Sequence, residues 1–182
     1  MNRALIITVM GLFSFLFGSC SKPKEAADLP PPRNNAEGKA DGEKLLDTLM
    51  PFAEQMLQQH QEFFPFGARM APDGTITHEG AYNGTEHPPS QKLIDLLRQA
   101  HQQDARANKL RACATVYDIR TIPPGRTEKQ DAIAAAIDHV SGYSAVVIFP
   151  CTFDADKKLR VEAPFAVEGS NDIFAHPPQS TP

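Results

Sequence analysis

Apolar residues between Glu43 and His60 recur at the spacing of one helix face. They follow the i, i+4, i+7, i+11 pattern of an amphipathic helix, at Leu45, Leu49, Phe52 and Met56. Pro51 lies inside this pattern. It should kink the predicted helix or split it in two, because an interior proline costs about 3 kcal/mol.

Two strands are predicted on either side of a four-residue turn. The segments 63–70 and 75–82 flank Ala71-Pro72-Asp73-Gly74. Proline sets φ near −65°, aspartate offers a side-chain acceptor and glycine adopts a positive φ without strain, which is the composition of a hairpin turn. The sequence therefore predicts a β-hairpin here.

A second helix and a central strand follow the hairpin. The helix is predicted over 91–107, with Ser90 as its N-cap and Asn108 at its C-terminus. Residues 109–122 then alternate, and both of their faces carry apolar side chains. That pattern is typical of a strand inside a sheet.

The segment 131–140 is ambiguous between helix and strand. Its alanines favour a helix. A strand is favoured by four residues at a spacing of two, namely Ile133, Ala135, Ile137 and His139. Ser141-Gly142 separates this segment from the β-prone segment 143–149, as a two-residue hairpin loop would, so we predict a strand.

These elements predict one α+β domain, in which two helices pack on an antiparallel sheet of about five to six strands in helix–hairpin–helix–meander order. The last strand is expected at 158–165, and the segment 171–174 is expected to pack at the edge. The domain is predicted to span 43–175. We expect a disordered tether at 20–42 and a disordered tail at 176–182, because both contain few large apolar side chains.

Residues 1–19 have the layout of an export signal. Arg3 precedes an almost unbroken apolar run at 4–17, and the small residues Gly18 and Ser19 follow it. A helix of about 14 residues spans about 21 Å, which is short of the ~30 Å hydrocarbon core of a bilayer. A cleaved signal peptide is therefore predicted rather than a transmembrane helix.

The end of this signal, Phe17-Gly18-Ser19-Cys20, resembles the lipobox of bacterial lipoproteins. The resemblance implies that Cys20 becomes the first mature residue and carries a thioether-linked diacylglycerol plus an acyl group, which together anchor it in a membrane. Phe17 departs from the leucine that the family prefers, and the alternative is an ordinary secretory signal cut near Ser21. In Gram-negative relatives, serine after the cysteine implies sorting to the outer membrane, here facing the periplasm.

Charge excludes one class of partner. The chain has 22 Asp and Glu residues against 18 Lys and Arg residues, a formal net charge of −4. It has no basic cluster with interleaved aromatic residues, so no nucleic acid is expected as a partner. The expected partners are a membrane, through the lipid on Cys20, and another envelope protein.

Short motifs inside the predicted domain resemble a group of small bacterial proteins of unknown function. The motifs are Phe64-Pro65-Phe66-Gly67, Asp73-Gly74, Asp131-Ala132-Ile133, Gly142 and Pro150. Cys151 departs from the pattern, because that group prefers an aromatic residue there. The resemblance supports the fold and implies no activity.

Metal binding is one candidate chemistry. His78, Glu79 and His87 lie within ten residues of each other, but strand alternation places His78 and Glu79 on opposite faces. The chain contains neither His-x-x-x-His nor Cys-x-x-Cys. We therefore predict no metal site and no cofactor.

Thiol chemistry is a second candidate. Cys113 and Cys151 could form a disulfide, or act as nucleophiles with a base such as His101 or His139. Their neighbours are apolar, which predicts burial and raised thiol pKa values. The disulfide stays open, and a structural role is favoured for both thiols.

Other catalytic patterns have less support. Glu168-Gly169-Ser170-Asn171 has only one glycine of the Gly-x-Ser-x-Gly motif. Asp118, Asp131 and Asp138 could converge, although surface or capping roles are favoured for them. No catalytic residue is predicted.

Three phenylalanines, Phe63, Phe64 and Phe66, exceed what one strand face can bury. Alternation predicts Phe64 and Phe66 on one face and Phe63 on the other. The main interpretation is burial beneath the two helices, and the alternative is an apolar patch for a partner or ligand.

The sequence thus predicts a lipid-anchored protein of the cell envelope. Its domain is expected to be non-catalytic, and to bind another protein or act in assembly or protection at the membrane. The alternatives are a periplasmic protein that binds a small ligand or a metal, and an enzyme of an unrecognised type.

Overall fold

A computed structural model describes residues 35–174. Cys20, the predicted signal at 1–19 and the predicted tail at 176–182 lie outside the described residues. The described part consists of α1 Ala36–His60, β1 Phe66–Met70, β2 Ile76–Gly80, α2 Ser90–Arg106, β3 Ala112–Thr121, β4 Gln130–His139, β5 Ser144–Phe153, β6 Leu159–Val161 and β7 Phe165–Glu168. The predicted α+β class is confirmed.

All neighbouring strands of the sheet are antiparallel, in the order β2-β1-β3-β4-β5-β6, and β7 also pairs with β5. The sheet has seven strands rather than the five to six predicted, because the expected strand at 158–165 is split. Val161 of β6 pairs with Cys151 of β5, and Phe165 of β7 pairs with Ile148 of β5. Between these two pairs the chain advances four residues from β6 to β7 but only three residues along β5. The extra residue is a bulge beside Pro164, which has no N–H to donate to the ladder.

The two helices pack on opposite faces of the sheet. On one face, the apolar side of α1 covers the centre of β1, β3, β4 and β5 in the main hydrophobic core. On the other face, α2 lies over β1 and β3, and buries Leu93 and Leu97. Between residues 35 and 174, neither helix combines the length and the apolarity that a membrane crossing requires.

Helix α1 begins at Ala36, seven residues before the predicted start at 43, so residues 36–42 are not a tether. The side chain of Asn35 accepts a hydrogen bond from the N–H of Gly38 at 3.0 Å, and thereby caps the helix. Gly38 also lets the helix approach Tyr143 closely, because a Cβ at this position would overlap that residue. Residues 36–42 contain no large apolar side chain, and this lets the start of α1 approach Tyr143 closely instead of making the segment disordered.

Pro51 does not split α1, which is continuous across it. Proline removes one helical hydrogen bond, but Pro51 is exposed, so water can reach the carbonyl that loses its partner. The helix ends at His60. The next residue, Gln61, caps it with a left-handed φ of 64° and donates its N–H to Leu57 O at 2.9 Å.

Several local predictions are confirmed and others are shifted. The hairpin forms around Asp73, and the segment 131–140 is a strand. Its connection to β5 comprises the four residues 140–143 rather than the two-residue loop expected. The N–H of Gly142, which has a φ of 84°, donates to His139 O in this turn. Asn108, with φ 54°, follows the end of α2 as expected, whereas Ser90 lies inside α2 instead of capping it.

The C-terminal segment 171–174 differs from its prediction. It was expected at the edge of the sheet, but Ile173 is buried on the α2 face, in a small cluster with Cys113 and Leu110. Gln102 of α2 donates to Asp172 O at 3.2 Å and holds the segment there.

Candidate binding groove

A groove of about 710 Å³ opens at the end of α1. It lies between the last turns of α1, the connection to β1 and the loop that precedes α2. The apolar part of its wall is formed by Phe52, Met56, Phe63, Phe64, Pro88 and Pro89. A volume of several hundred cubic ångströms with mostly apolar walls is typical of ligand-binding sites.

Packing against Phe66 holds the aromatic wall in place. The rings of Phe52 and Phe66 meet edge-on with centroids 4.9 Å apart, and those of Phe63 and Phe66 with centroids 5.6 Å apart. Phe66 and Phe63 are buried, whereas Phe52 is 44% exposed. Phe52 therefore presents a fixed apolar surface to the groove.

Phe64 is 52% exposed and also lines the groove. The prediction that Phe64 shares a face with Phe66 is wrong, because β1 begins only at Phe66 and strand alternation does not extend to the residues before it. Phe63 instead joins Phe66 in the core. The alternative interpretation of an exposed apolar patch fits Phe64 and Phe52.

The polar part of the groove is acidic. Glu62 and Asp118 line it, together with His60, His87 and Ser90, and neither carboxylate forms an ion pair with any residue between 35 and 174. Burial raises the pKa of Asp118, although a backbone hydrogen bond opposes it, and the negative charges of Glu62 and Asp131 raise this pKa further. The groove thus combines aromatic walls with negative charge that no cationic side chain pairs with in the described part of the chain.

The histidines proposed for metal binding do not meet. His78 is exposed on β2 opposite Ala68, while Glu79 points to the other face and lies 2.8 Å from His101 Nε2. His87 lines the groove. His78 and Glu79 thus lie on opposite faces of β2, as strand alternation predicts.

Cys113 and Cys151 are both free and buried, which answers the open question of a disulfide. Cys151 lies in the core beneath α1, and Cys113 lies on the opposite face. Burial raises the pKa of Cys113 far above its usual value and that of Cys151 to about 11. Within the described chain neither thiol forms a hydrogen bond with a histidine, so the thiol-enzyme arrangement is not formed.

His139 belongs to a polar network that the sequence did not predict. Its Nε2 lies 3.2 Å from Asp41 Oδ2, and its Nδ1 lies 2.6 Å from Ser141 Oγ. Because the N–H of Ser141 also donates to Nδ1, at 3.0 Å, the ring proton belongs on Nε2 and points at Asp41. The order serine, histidine, aspartate is that of a catalytic triad, but the two ring nitrogens have exchanged partners relative to the triad.

The surroundings of this network favour a structural role over catalysis. Asp41 also binds Arg111 and Lys44, whose charges neutralise it. Asn35 donates to Ser141 Oγ at 2.7 Å, and Ser141 does not line the groove. The network joins the start of α1 to the β4–β5 hairpin.

A metal does not fit this network. Glu37, Asp41 and His139 bring one donor atom each within 4.8 Å of one another. However, Arg111 Nε donates to Asp41 Oδ2 at 2.6 Å, so a guanidinium already fills the place of a cation.

The remaining candidate carboxylates do not converge, because Asp131 pairs with Arg120 on the surface and Asp138 lies beneath α2.

The whole chain was compared with protein-family models, with curated proteins and with solved structures, and no match was found. The lipobox and the motifs of the domain therefore stay resemblances. The case for a function rests on the groove and on the chemistry of its walls.

Proposed function

We propose that this chain is a lipid-anchored protein of the cell envelope that binds a partner protein through its groove, without catalysing a reaction. The observation that carries the proposal is the aromatic groove, whose residues Phe52 and Phe64 are about half exposed. Exposed aromatic side chains held by a rigid core are typical centres of binding energy in protein interfaces. Which protein the partner is would decide whether the chain acts in assembly or in protection at the membrane.

The occupant we propose is an apolar segment of the partner that carries a basic residue beside its apolar anchor. The walls would receive the anchor, and the unpaired carboxylates of Glu62 and Asp118 would attract the basic group. Charge complementarity of this kind favours association and rejects acidic segments.

The helix–hairpin–helix–meander order is part of this proposal. In that order, the connection from α1 to β1 and the loop from β2 to α2 come to the same end of the sheet. Phe64 belongs to the first and Pro88 to the second. Residues far apart in the chain would thus form one docking surface on a rigid scaffold.

Binding can be tested with two matched short peptides, one carrying Phe followed by Lys and one carrying Phe followed by Glu. Fluorescence anisotropy should show that the Lys peptide binds and the Glu peptide does not. Phe64→Ala should weaken binding about tenfold or more, which corresponds to about 1.4 kcal/mol. Tyr82→Ala is the matched control, because Tyr82 is 76% exposed and does not line the groove.

The outcomes separate the alternatives. Equal binding of both peptides, or equal loss with Tyr82→Ala and Phe64→Ala, would contradict the groove as the docking surface. Saturable binding of a small apolar amine with no peptide binding would favour a small-ligand protein instead.

The anchor rests on the resemblance of residues 17–20 to a lipobox. Mass spectrometry of the mature N-terminus should find the masses of a diacylglycerol and an acyl chain on Cys20. Cys20→Ala should release the chain from the membrane fraction. A mature N-terminus that begins after Cys20 and carries no lipid would end this part of the proposal.

A further inference from the structure

A second cavity, of about 50 Å³, lies between α2 and the sheet, on the face opposite α1. Arg98 and His101 of α2, Thr115 of β3, Asp138 of β4 and Asp172 of the C-terminal segment contribute to its walls. We call this cavity the α2 chamber. It shares no wall residue with the groove.

Two carboxylate oxygens in the α2 chamber have no partner. Oδ1 of Asp138 and Oδ1 of Asp172 are buried and accept no hydrogen bond from any residue between 35 and 174. Asp138 is only 7% exposed. Burying an unsatisfied polar group is unfavourable, and burying a charged one is more so, so both oxygens point to a species that the protein side chains do not provide.

The charged groups around the α2 chamber leave Asp138 without an ion pair to any residue between 35 and 174. Arg98 Nε lies 3.5 Å from Asp172 Oδ2, and is engaged there. Glu79 is held by Arg69 at 3.3 Å and by His101 at 2.8 Å, and Arg69 also pairs with Asp104. Ser144 donates a hydrogen bond to the carboxylate of Asp138, and the charges of Arg98 and His101 lie close enough to favour its ionised form.

We propose that the α2 chamber binds a divalent cation of the calcium or magnesium class, through Asp138 Oδ1 and Asp172 Oδ1. Both unpartnered donors are hard carboxylate oxygens, which are the ligands that these ions prefer. The Thr115 hydroxyl lines the same cavity and adds a further oxygen.

Softer ions fit the α2 chamber less well. Cys113 also lines it, but the two donors that lack a partner are hard carboxylate oxygens, which thiophilic ions do not prefer. His101 already uses Nε2 to bind Glu79. A cavity of this volume holds about three to five waters, which would complete the coordination of an ion that has two carboxylate ligands.

Cation binding would connect the C-terminal segment to the sheet. Ser144 Oγ accepts from the N–H of Asn171 at 3.0 Å, and this contact brings Asp172 towards Asp138. The two carboxylates repel each other, and the negative charge of Asp172 adds to the burial that raises the pKa of Asp138. A bound cation would replace that repulsion with attraction to both.

Terbium luminescence provides a direct test, because Tyr117 lines the α2 chamber and the chain contains no tryptophan. The full-length chain in detergent is excited at its tyrosines and titrated with Tb³⁺, which resembles Ca²⁺ in size and ligand preference. We expect saturable emission that Ca²⁺ displaces, and a melting temperature that rises with added Ca²⁺ or Mg²⁺. Tyr117→Phe should remove the emission but keep the shift in melting temperature.

Asp138→Asn tests the ligand, since it keeps the shape of the side chain and removes its charge. Circular dichroism should show an intact fold, while Ca²⁺ affinity falls about tenfold or more, or about 1.4 kcal/mol. Asp131→Asn is the matched control, because Asp131 is an exposed β4 aspartate, and it should leave the affinity unchanged. Unchanged affinity in Asp138→Asn overturns the proposal, as does a wild-type chain with neither emission nor a shift in melting temperature.

Discussion

Asp41 and His139 lie 98 residues apart in the chain and meet at 3.2 Å, in a pair that is almost completely shielded from solvent. The pair links the second turn of α1 to the last residue of β4. Arg111, which precedes β3, binds the same carboxylate oxygen. Three elements are therefore joined through one carboxylate.

Asp41→Ala should destabilise the fold strongly. It leaves the guanidinium of Arg111 and the Nε2–H of His139 without their acceptor, and breaking a buried charge pair in this way costs about 3–5 kcal/mol. Chemical denaturation followed by circular dichroism measures the loss. Asp131→Ala is the comparison, because its ion pair with Arg120 is mostly exposed and should contribute about 0–1 kcal/mol. Similar losses in the two variants would contradict a buried network.

Asp118→Asn should stabilise the protein near neutral pH. The pKa of Asp118 is raised by burial in the groove, so the folded state binds the proton more tightly than the unfolded state. Stability is therefore lost as pH rises from the unfolded pKa of about 3.9 through the higher folded pKa. Urea unfolding from pH 3 to pH 7 should show that the free energy of unfolding of the variant increases relative to that of the wild type as pH rises. A constant difference across this range would exclude titration of Asp118 as the cause.

Gly38→Ala should destabilise α1, although alanine favours helix by about 1 kcal/mol over glycine. The new methyl group would overlap Cβ of Tyr143, and overpacking of this kind costs about 1–3 kcal/mol or more. Adding Tyr143→Ala should not rescue the variant, since alanine keeps that Cβ. Gly80→Ala is the control, because nothing lies within 4 Å of its new methyl group. Thermal unfolding should show a lowered melting temperature for Gly38→Ala, with or without Tyr143→Ala, and little change for Gly80→Ala.

Cys113 and Cys151 should resist alkylation in the native protein and react fully after unfolding. The pKa of Cys151 is raised to about 11, which leaves about one thiolate in a thousand at pH 8, and both side chains are buried. Mass spectrometry after iodoacetamide treatment, with and without urea, measures both states. A mass lower by two hydrogens under non-reducing conditions would reveal a disulfide and contradict the separation of the two thiols.

Local signals predicted much of the fold. The turn at Asp73-Gly74 and the spacing of two in the series from Ile133 to His139 depend on neighbours in the sequence, and both gave the correct element. The start of α1 was missed because its first turns are held by Tyr143 and Ser141, far along the chain. Tertiary contacts of this kind leave no periodic trace in the sequence.

The candidate sites were less predictable. The phenylalanines were noted, but which of them is exposed depends on where β1 begins, and strand ends are set by pairing with β2 and β3. Asp41 was assigned to a tether, so its contact with His139 could not be anticipated. The unpartnered oxygens of Asp138 and Asp172 arise from how a terminal segment folds back on the sheet, which no local pattern encodes.

The position of Asn35 has a mechanical consequence. Asn35 caps α1, and a rise of about 1.5 Å per residue places Phe52 about 25 Å further along this helix. A force applied at the start of α1 would act on the contacts of Asn35, Asp41 and Arg111 with the sheet. The polar network would bear the load at one end of α1, and leave the groove at the other end undistorted.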